Sequence, residues 1–293
     1  MDLIIPTISQ GLLWSLLAIG VYITFRVLDI ADLTVEGSFP LGAATAAACL
    51  VAGWSPIPAM LAAAFAGMLG GIITGILCTK LKIPALLAGI LTMIALYSVN
   101  LRIMGKANIS LLQVDTVFSL YAIPGLELSQ MILVIGLIAV IITAVGCYLF
   151  FGTEIGAAIR ATGCNPHMIR ATGGNTDITI ILGLLISNAL VALSGALVAQ
   201  ANGFADVGMG VGTIVIGLAS VIIGEVLFGT RSFKNCLLSV ILGSIAYRAV
   251  IAIVLQMGMP PNDLKLFTAI LVAAALSMPL FQAKLNKRKA AKD

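Results

Sequence analysis

Apolar stretches of about twenty residues recur along almost the whole chain, and nothing constrains its fold more. They lie near 4–26, 38–53, 57–79, 84–104, 128–150, 178–201, 208–229, 236–257 and 264–283, nine in all. A helix of about twenty residues crosses the hydrocarbon core and satisfies its own backbone there. Water is a poor solvent for such a chain. Hydrophobic residues make up 60% and charged residues 10%, against about a quarter charged in an ordinary soluble domain. A single water-soluble core would leave a large apolar patch exposed. The expected fold is all-α: a polytopic membrane protein with about nine transmembrane helices, in one transmembrane domain over residues 1–293. The first run starts at Ile4 with no basic residue before it and no clear small-residue cleavage site, so it reads as a retained span.

Basic residues in short connections set the orientation. The stretches "TKLK" (79–82), 151–177, "GTRSFKN" (229–235) and the tail "KLNKRKAAKD" (284–293) hold eleven of the sixteen Lys and Arg. These lie on one side if every candidate crosses. That side is cytoplasmic by the positive-inside rule, with the C-terminus inside and the N-terminus outside. The basic tail fits anionic lipid headgroups better than nucleic acid, so no nucleic-acid partner is expected. The opposite side receives 105–127 and the short loops near 54–56, 202–207 and 258–263.

Residues 28–40, "LDIADLTVEGSFP", carry three carboxylates and no basic residue. Two placements fit: a cytoplasmic turn, or a broken helix or re-entrant turn that lines a cavity. In the second, Asp29, Asp32 and Glu36 are polar contributors to a path, with Ser38 and Thr45 on the same face, because carboxylates at membrane depth are costly and rarely idle. Gly and Ala at three- and four-residue intervals in "AGMLGGIITG" (66–75) and 208–229 predict close helix packing. The segments 61–82 and 212–234 are loosely alike, each a Gly-spaced span that ends in a basic turn.

Arg248 interrupts an apolar run, which predicts a buried ion pair, whereas Arg102 sits where it can snorkel to the interface. Trp14 and Trp54 read as interface or packing aromatics. The five cysteines are scattered singly and read as small buried hydrophobes. No G-x-x-x-x-G-K-[ST], G-x-S-x-G or H-E-x-x-H occurs, and His167 has no partner set. No catalytic residue, metal site or cofactor is therefore expected.

One segment interrupts the apolar pattern differently: "GTEIGAAIRATGCNPHMIRATGGNTD", 152–177. Ile155 and Ile159 stand four apart, on one face of a helix, and Gly156 and Arg160 form the neighbouring row. Asn165 can cap a second helix with Pro166 in its first position. An ordered small-residue helix pair invites a docking partner in a shallow groove; an interfacial amphipathic helix with no protein partner is the other reading.

This segment, with the polar stretch "LDIADLTVEGSFPLGAATAA" (28–47), resembles the membrane subunit of bacterial ABC importers of the branched-chain amino acid and ribose permease family. The pattern is Gly156, Arg160, Ala161, Asn165, Pro166, Arg170, Ala171, Gly173, Gly174 and Asn175. The resemblance covers roughly 10–283 and implies several expectations. Segment 152–177 would be a cytoplasmic coupling helix, with Gly156, Arg160, Ala161, Asn165, Pro166, Arg170 and Gly173 as its ATPase-coupling residues. The partners would be cytoplasmic ATP-binding subunits, an extracellular solute-binding protein, a second permease copy or related permease subunit, and the lipid bilayer of the bacterial inner membrane. Thr34, Val35, Glu36 and Pro40 depart from better-known members and look closer to a branch linked to aromatic amino acids such as tryptophan or tyrosine. An ion-gradient-driven secondary transporter is the rival reading, since 28–40 could supply the backbone break that an ion site needs. An intramembrane enzyme is a second rival and lacks a catalytic set.

Overall fold

The computed structural model describes residues 4–121, 125, 127–258, 263, 266–270 and 273. Helix α1 (Ile4–Tyr22) ends in a π-helical turn (Ile23–Val27). Then follow α2 (Val35–Val51), α3 (Pro56–Thr79), α4 (Ala85–Met104), the short strand β1 (Asn108–Ser110), α5 (Val117–Leu120) and α6 (Leu128–Gly152). Two short helices, α7 (Glu154–Cys164) and α8 (Pro166–Ala171), precede α9 (Thr176–Asn202). The chain continues through β2 (Phe204–Asp206), a 3₁₀ turn (Val207–Gly210), α10 (Thr213–Phe228) and α11 (Phe233–Gln256).

Seven helices among the described residues are long and apolar enough to cross a membrane. They match seven of the nine expected spans. The expected span at 38–53 is instead α2, a 17-residue helix that begins at Val35 and contains Pro40. The expected span at 264–283 and the tail 284–293 lie largely outside the described residues, of which 266–270 are helical.

Helix α9 has 27 residues and is therefore about 40 Å long. It serves as a ruler. Helix α1 runs antiparallel to it: Gln10 bonds Asn202, the Ser194 hydroxyl donates to Leu13 O, and that of Ser187 donates to Gly20 O. At one end of α9 gather Lys80, paired to Asp177 at 3.3 Å, and Arg160, which lies over Phe233. This is the basic end. Val27 and Leu28 reach it too, against Gly163 of α7 and Gly183 of α9. From there the chain turns back without helix through 28–34, and Asp32 meets Asn188 near the midpoint of α9. Only then does α2 begin, and it carries the chain to the far end. Residues 28–34 thus form a non-helical break that turns back into the bundle.

A second break mirrors the first. Beyond Asn202 the chain descends from the far end through β2 and the 3₁₀ turn, until Gly210 touches Glu36 and Pro40 of α2. Helix α10 starts there and runs to the basic end, where Glu225 pairs with Arg26. The units α1–break–α2 and α9–break–α10 run in opposite directions, as in inverted-repeat transporters. This is a different repetition from the 61–82 and 212–234 likeness, whose members fall on α3 and α10.

Packing follows the small residues. Gly67 and Gly71 of α3 lie against the backbone of Asn188 and Leu184, and Gly75 against Ile181. Gly42 of α2 lies on Ala192, and Gly243 of α11 on Ser220. Helix α1 is buried on all faces from Gly11 to Tyr22, as expected of a helix apolar all round at the centre of a bundle. Helices α3, α4 and α6 turn Phe65, Ile94 and Ile142 outward, where lipid would be their solvent. One departure from the all-α expectation is the β1–β2 ribbon, antiparallel with Ile109 opposite Ala205, which ties the loop after α4 to the second break.

Candidate functional site: a mid-depth polar cluster and a basic-end helix pair

The first break brings polar groups together halfway along the bundle. Asp32 is 2% exposed and Asn188 is fully buried. One Asp32 oxygen accepts from Thr34 N at 2.9 Å and the other from Asn188 Nδ2 at 2.9 Å. The Ser38 hydroxyl donates to Asn188 Oδ1 at 2.7 Å. Thr34 Oγ1 lies 2.7 Å from Thr74 Oγ1 on α3, which donates to Thr92 Oγ1 on α4 at 2.9 Å. The network crosses α2, α3, α4 and α9, and buried polar groups linked this way fix their helices relative to one another.

Glu36 stands in the first turn of α2 and accepts from Gly212 N at 3.0 Å, just before α10. Gly212 has φ +85°, a conformation that favours glycine. The N-termini of two oppositely directed half-helices meet at this contact. Beside it lies a cavity of about 520 Å³ between α2, α4 and the 207–211 turn, within the range of small-molecule sites. Asn100 of α4 lines it, fully buried.

Of the path residues expected from sequence, Asp32 and Ser38 meet through Asn188, and Glu36 lies apart from them at the Gly212 contact. Asp29 is exposed, with φ +56°, at the turn near the basic end. Thr45 lies two turns further along α2, outside the network, and its hydroxyl is buried with no partner among the described residues. Sequence reasoning missed Asn188, Asn100, Thr34, Thr74 and Thr92. The two asparagines had a signal, since each is a lone amide inside an apolar run.

At the basic end, Thr153 caps α7 by accepting from Gly156 N, and Asn165 caps α8 by accepting from Met168 N at 3.1 Å, with Pro166 in the first position. Ile155 and Ile159 do not share a face in effect. Ile159 is buried with Gly156 and Thr162, while Ile155 is 54% exposed. The docking stripe follows Gly156, Ile159 and Gly163, and Gly156 packs on the Phe150–Phe151 backbone of its own chain. Thr162 Oγ1 lies 2.8 Å from Thr179 Oγ1, which fastens α7 to the first turn of α9. Arg160 lies over Phe233, Ala161 is half-buried, Arg170 Nε donates to Thr176 Oγ1 at 2.8 Å, and Gly173 turns the chain with φ +87°. The outward face of the pair carries Ile155, Arg160, His167 and Met168.

Two lone arginines also find their places. Arg248 lies 4.1 Å over the Trp14 ring. The ion pair expected of Arg248 is absent among the described residues; Glu225 pairs with Arg26 instead, accepting at Oε1 from Arg26 Nε at 2.9 Å. Arg102 is exposed near the far end of α4.

Comparison with known proteins follows the same lines. The tyrosine transport system permease protein of Clostridioides difficile (strain R20291) is 42% identical over 287 residues, which is 98% of this chain and 95% of that protein. An uncharacterized protein of Rickettsia prowazekii is 36% identical over 94% of this chain and 98% of its own length. The galactofuranose transporter permease protein of Escherichia coli K12 is 30% identical over 62% of this chain and 51% of its own. No solved structure gives a significant match. A family profile described as the permease component of branched-chain amino acid transport systems matches residues 3–276, so the chain belongs to that family: it is a multi-pass membrane permease of the ABC-importer type, a transport component with no catalytic activity of its own.

Proposed function

We propose that this chain is the permease subunit of an ATP-driven importer for an amino acid, with tyrosine or tryptophan as the solute. One relative that covers nearly the full length is named for tyrosine transport. The path runs beside the two half-helix N-termini, past Glu36, Ser38 and Asp32, and Asp29 and Thr45 border it at either side. Two permease copies, or one copy with a related subunit, enclose it. An external solute-binding protein delivers solute at the far end.

The basic end faces the cytoplasm, together with the C-terminal tail. Helices α7 and α8 are the coupling pair, which cytoplasmic ATP-binding subunits grip on the face of Ile155, Arg160, His167 and Met168. Asn165, Pro166 and Gly173 shape the pair, Gly156 and Ala161 seat it, and Arg170 anchors it to α9. The observation that carries the reading is the pair of mirrored breaks with polar groups at mid-depth, inside a chain of this family. Such breaks are where membrane transporters bind solutes.

The test is uptake of labelled L-tyrosine and L-tryptophan into proteoliposomes that hold the permease, its ATPase and its binding protein. ATP-dependent accumulation of either one is expected. Met168→Glu is expected to abolish accumulation while assembly of the bundle persists. Uptake that follows an ion gradient without the ATPase would overturn the reading.

A further inference from the structure

The cavity beside the two half-helix N-termini has a chemical preference. Asn100 Nδ2 donates to Gly37 O at 3.3 Å. A carbonyl can only accept, so this bond fixes which way the amide points. Asn100 Oδ1 is then left buried, with no partner among the described residues. A buried acceptor without a donor costs about 1–3 kcal/mol, and Asn100 is one of the residues that line the cavity. The second polar side chain in the wall that bears charge is Glu36, a carboxylate and again an acceptor.

Three of the backbone donors nearby are already engaged. Gly212 N–H goes to Glu36, and the Gly37 and Ser38 N–H groups go to Thr34 O. The wall therefore offers a negative charge and an unpaired amide oxygen, and no cationic side chain. The rest of the wall is mainly apolar, with Met93, Ile94 and Tyr97 along α4 and the Ser98 hydroxyl beside them.

We propose that this cavity is an ammonium site. It takes the primary amine of a solute between Glu36 and Asn100 Oδ1, and the solute's apolar or aromatic body lies along Met93, Ile94 and Tyr97. The inference deepens the permease reading, on which it rests, by naming the solute group that is recognised. Asn100 is the residue that makes the preference specific: an ammonium supplies three donors, enough for the carboxylate and the amide oxygen together.

The test is equilibrium binding to the full-length chain in phosphatidylcholine nanodiscs, which contain no primary amine. Three probes share one ring: L-tyrosine, tyramine and 3-(4-hydroxyphenyl)propionate. The two amines are expected to bind and to compete with each other. The deaminated acid is expected to bind at least about tenfold more weakly. Glu36→Gln keeps an acceptor for Gly212 N–H and removes the charge. It is expected to weaken the amines about 10- to 100-fold and to leave the acid unchanged. Equal binding of amine and acid, or no amine binding at millimolar concentration, overturns the ammonium assignment. ATP-driven uptake in the proteoliposomes that hold the permease, its ATPase and its binding protein reports separately on the permease reading, so the two can fail independently.

Discussion

Asn188 engages both amide protons and its carbonyl oxygen inside the bundle. Its Nδ2 donates to Asp32 and to Leu184 O, and its Oδ1 accepts from Ser38. Removing it orphans an aspartate oxygen and a hydroxyl at once. Asn188→Ala is expected to destabilise by about 1–3 kcal/mol, read as a shift in detergent unfolding. Paired with Asp32→Ala it should be non-additive, with a coupling of about 0.5–2 kcal/mol in a double-mutant cycle; strict additivity would mean that the two side chains do not act together. At this scale the sequence disclosed the carboxylates and hid their partners. Asp32 and Glu36 stand out by charge alone. Thr74 and Thr92 do not, because each also back-bonds within its own helix, to Gly70 O and Ala88 O, as any threonine in an apolar helix can. Asp29 stands out by charge as well but lies outside the network, since charge type says nothing about depth.

Helices obey the spacing rules where they run full length. The third span, expected at 57–79, is Pro56–Thr79, and the pattern of small residues in it names the α3–α9 contact. Gly71→Ala would drive a methyl into the Leu184 backbone and is expected to cost more than about 1 kcal/mol. Gly146→Ala meets nothing within 4 Å on α6 and should be neutral or stabilising by up to about 1 kcal/mol. Thermal unfolding of the two variants side by side checks the contrast. The breaks were harder to read. The 3₁₀ turn Val207–Gly210 is as apolar as the helix after it, so 208–229 looks like one continuous span. Composition reports the solvent that a residue prefers, and a covered re-entrant segment prefers the same solvent as a helix. The β1–β2 ribbon escaped notice because three-residue strands are too short to show a period. At the basic end, Thr162→Val removes the hydroxyl that ties α7 to α9. We expect little loss of stability and a marked fall in solute moved per ATP hydrolysed, measured in proteoliposomes; an unchanged ratio would exclude this bond from coupling.

Within the whole molecule the two opposed units are joined at two heights. The Arg26–Glu225 pair joins α1 to α10 at the basic end, and Glu36 and Gly212 join the half-helices at mid-depth; the β1–β2 ribbon ties the loop after α4 to the second break at the far end. Arg26 is about half exposed, so Arg26→Gln should change stability by less than about 1 kcal/mol. Arg26→Glu sets two carboxylates together and should lower the unfolding temperature, and the reversed pair R26E/E225R should recover it. Failure of the reversal would show that local packing rather than charge joins the units. The mid-depth joint has the largest consequence. No continuous rod of helix passes through it, only the tips of two short ones that abut through one amide and one carboxylate. Such a seam can part by sliding: one hydrogen bond is exchanged and every helical turn stays wound.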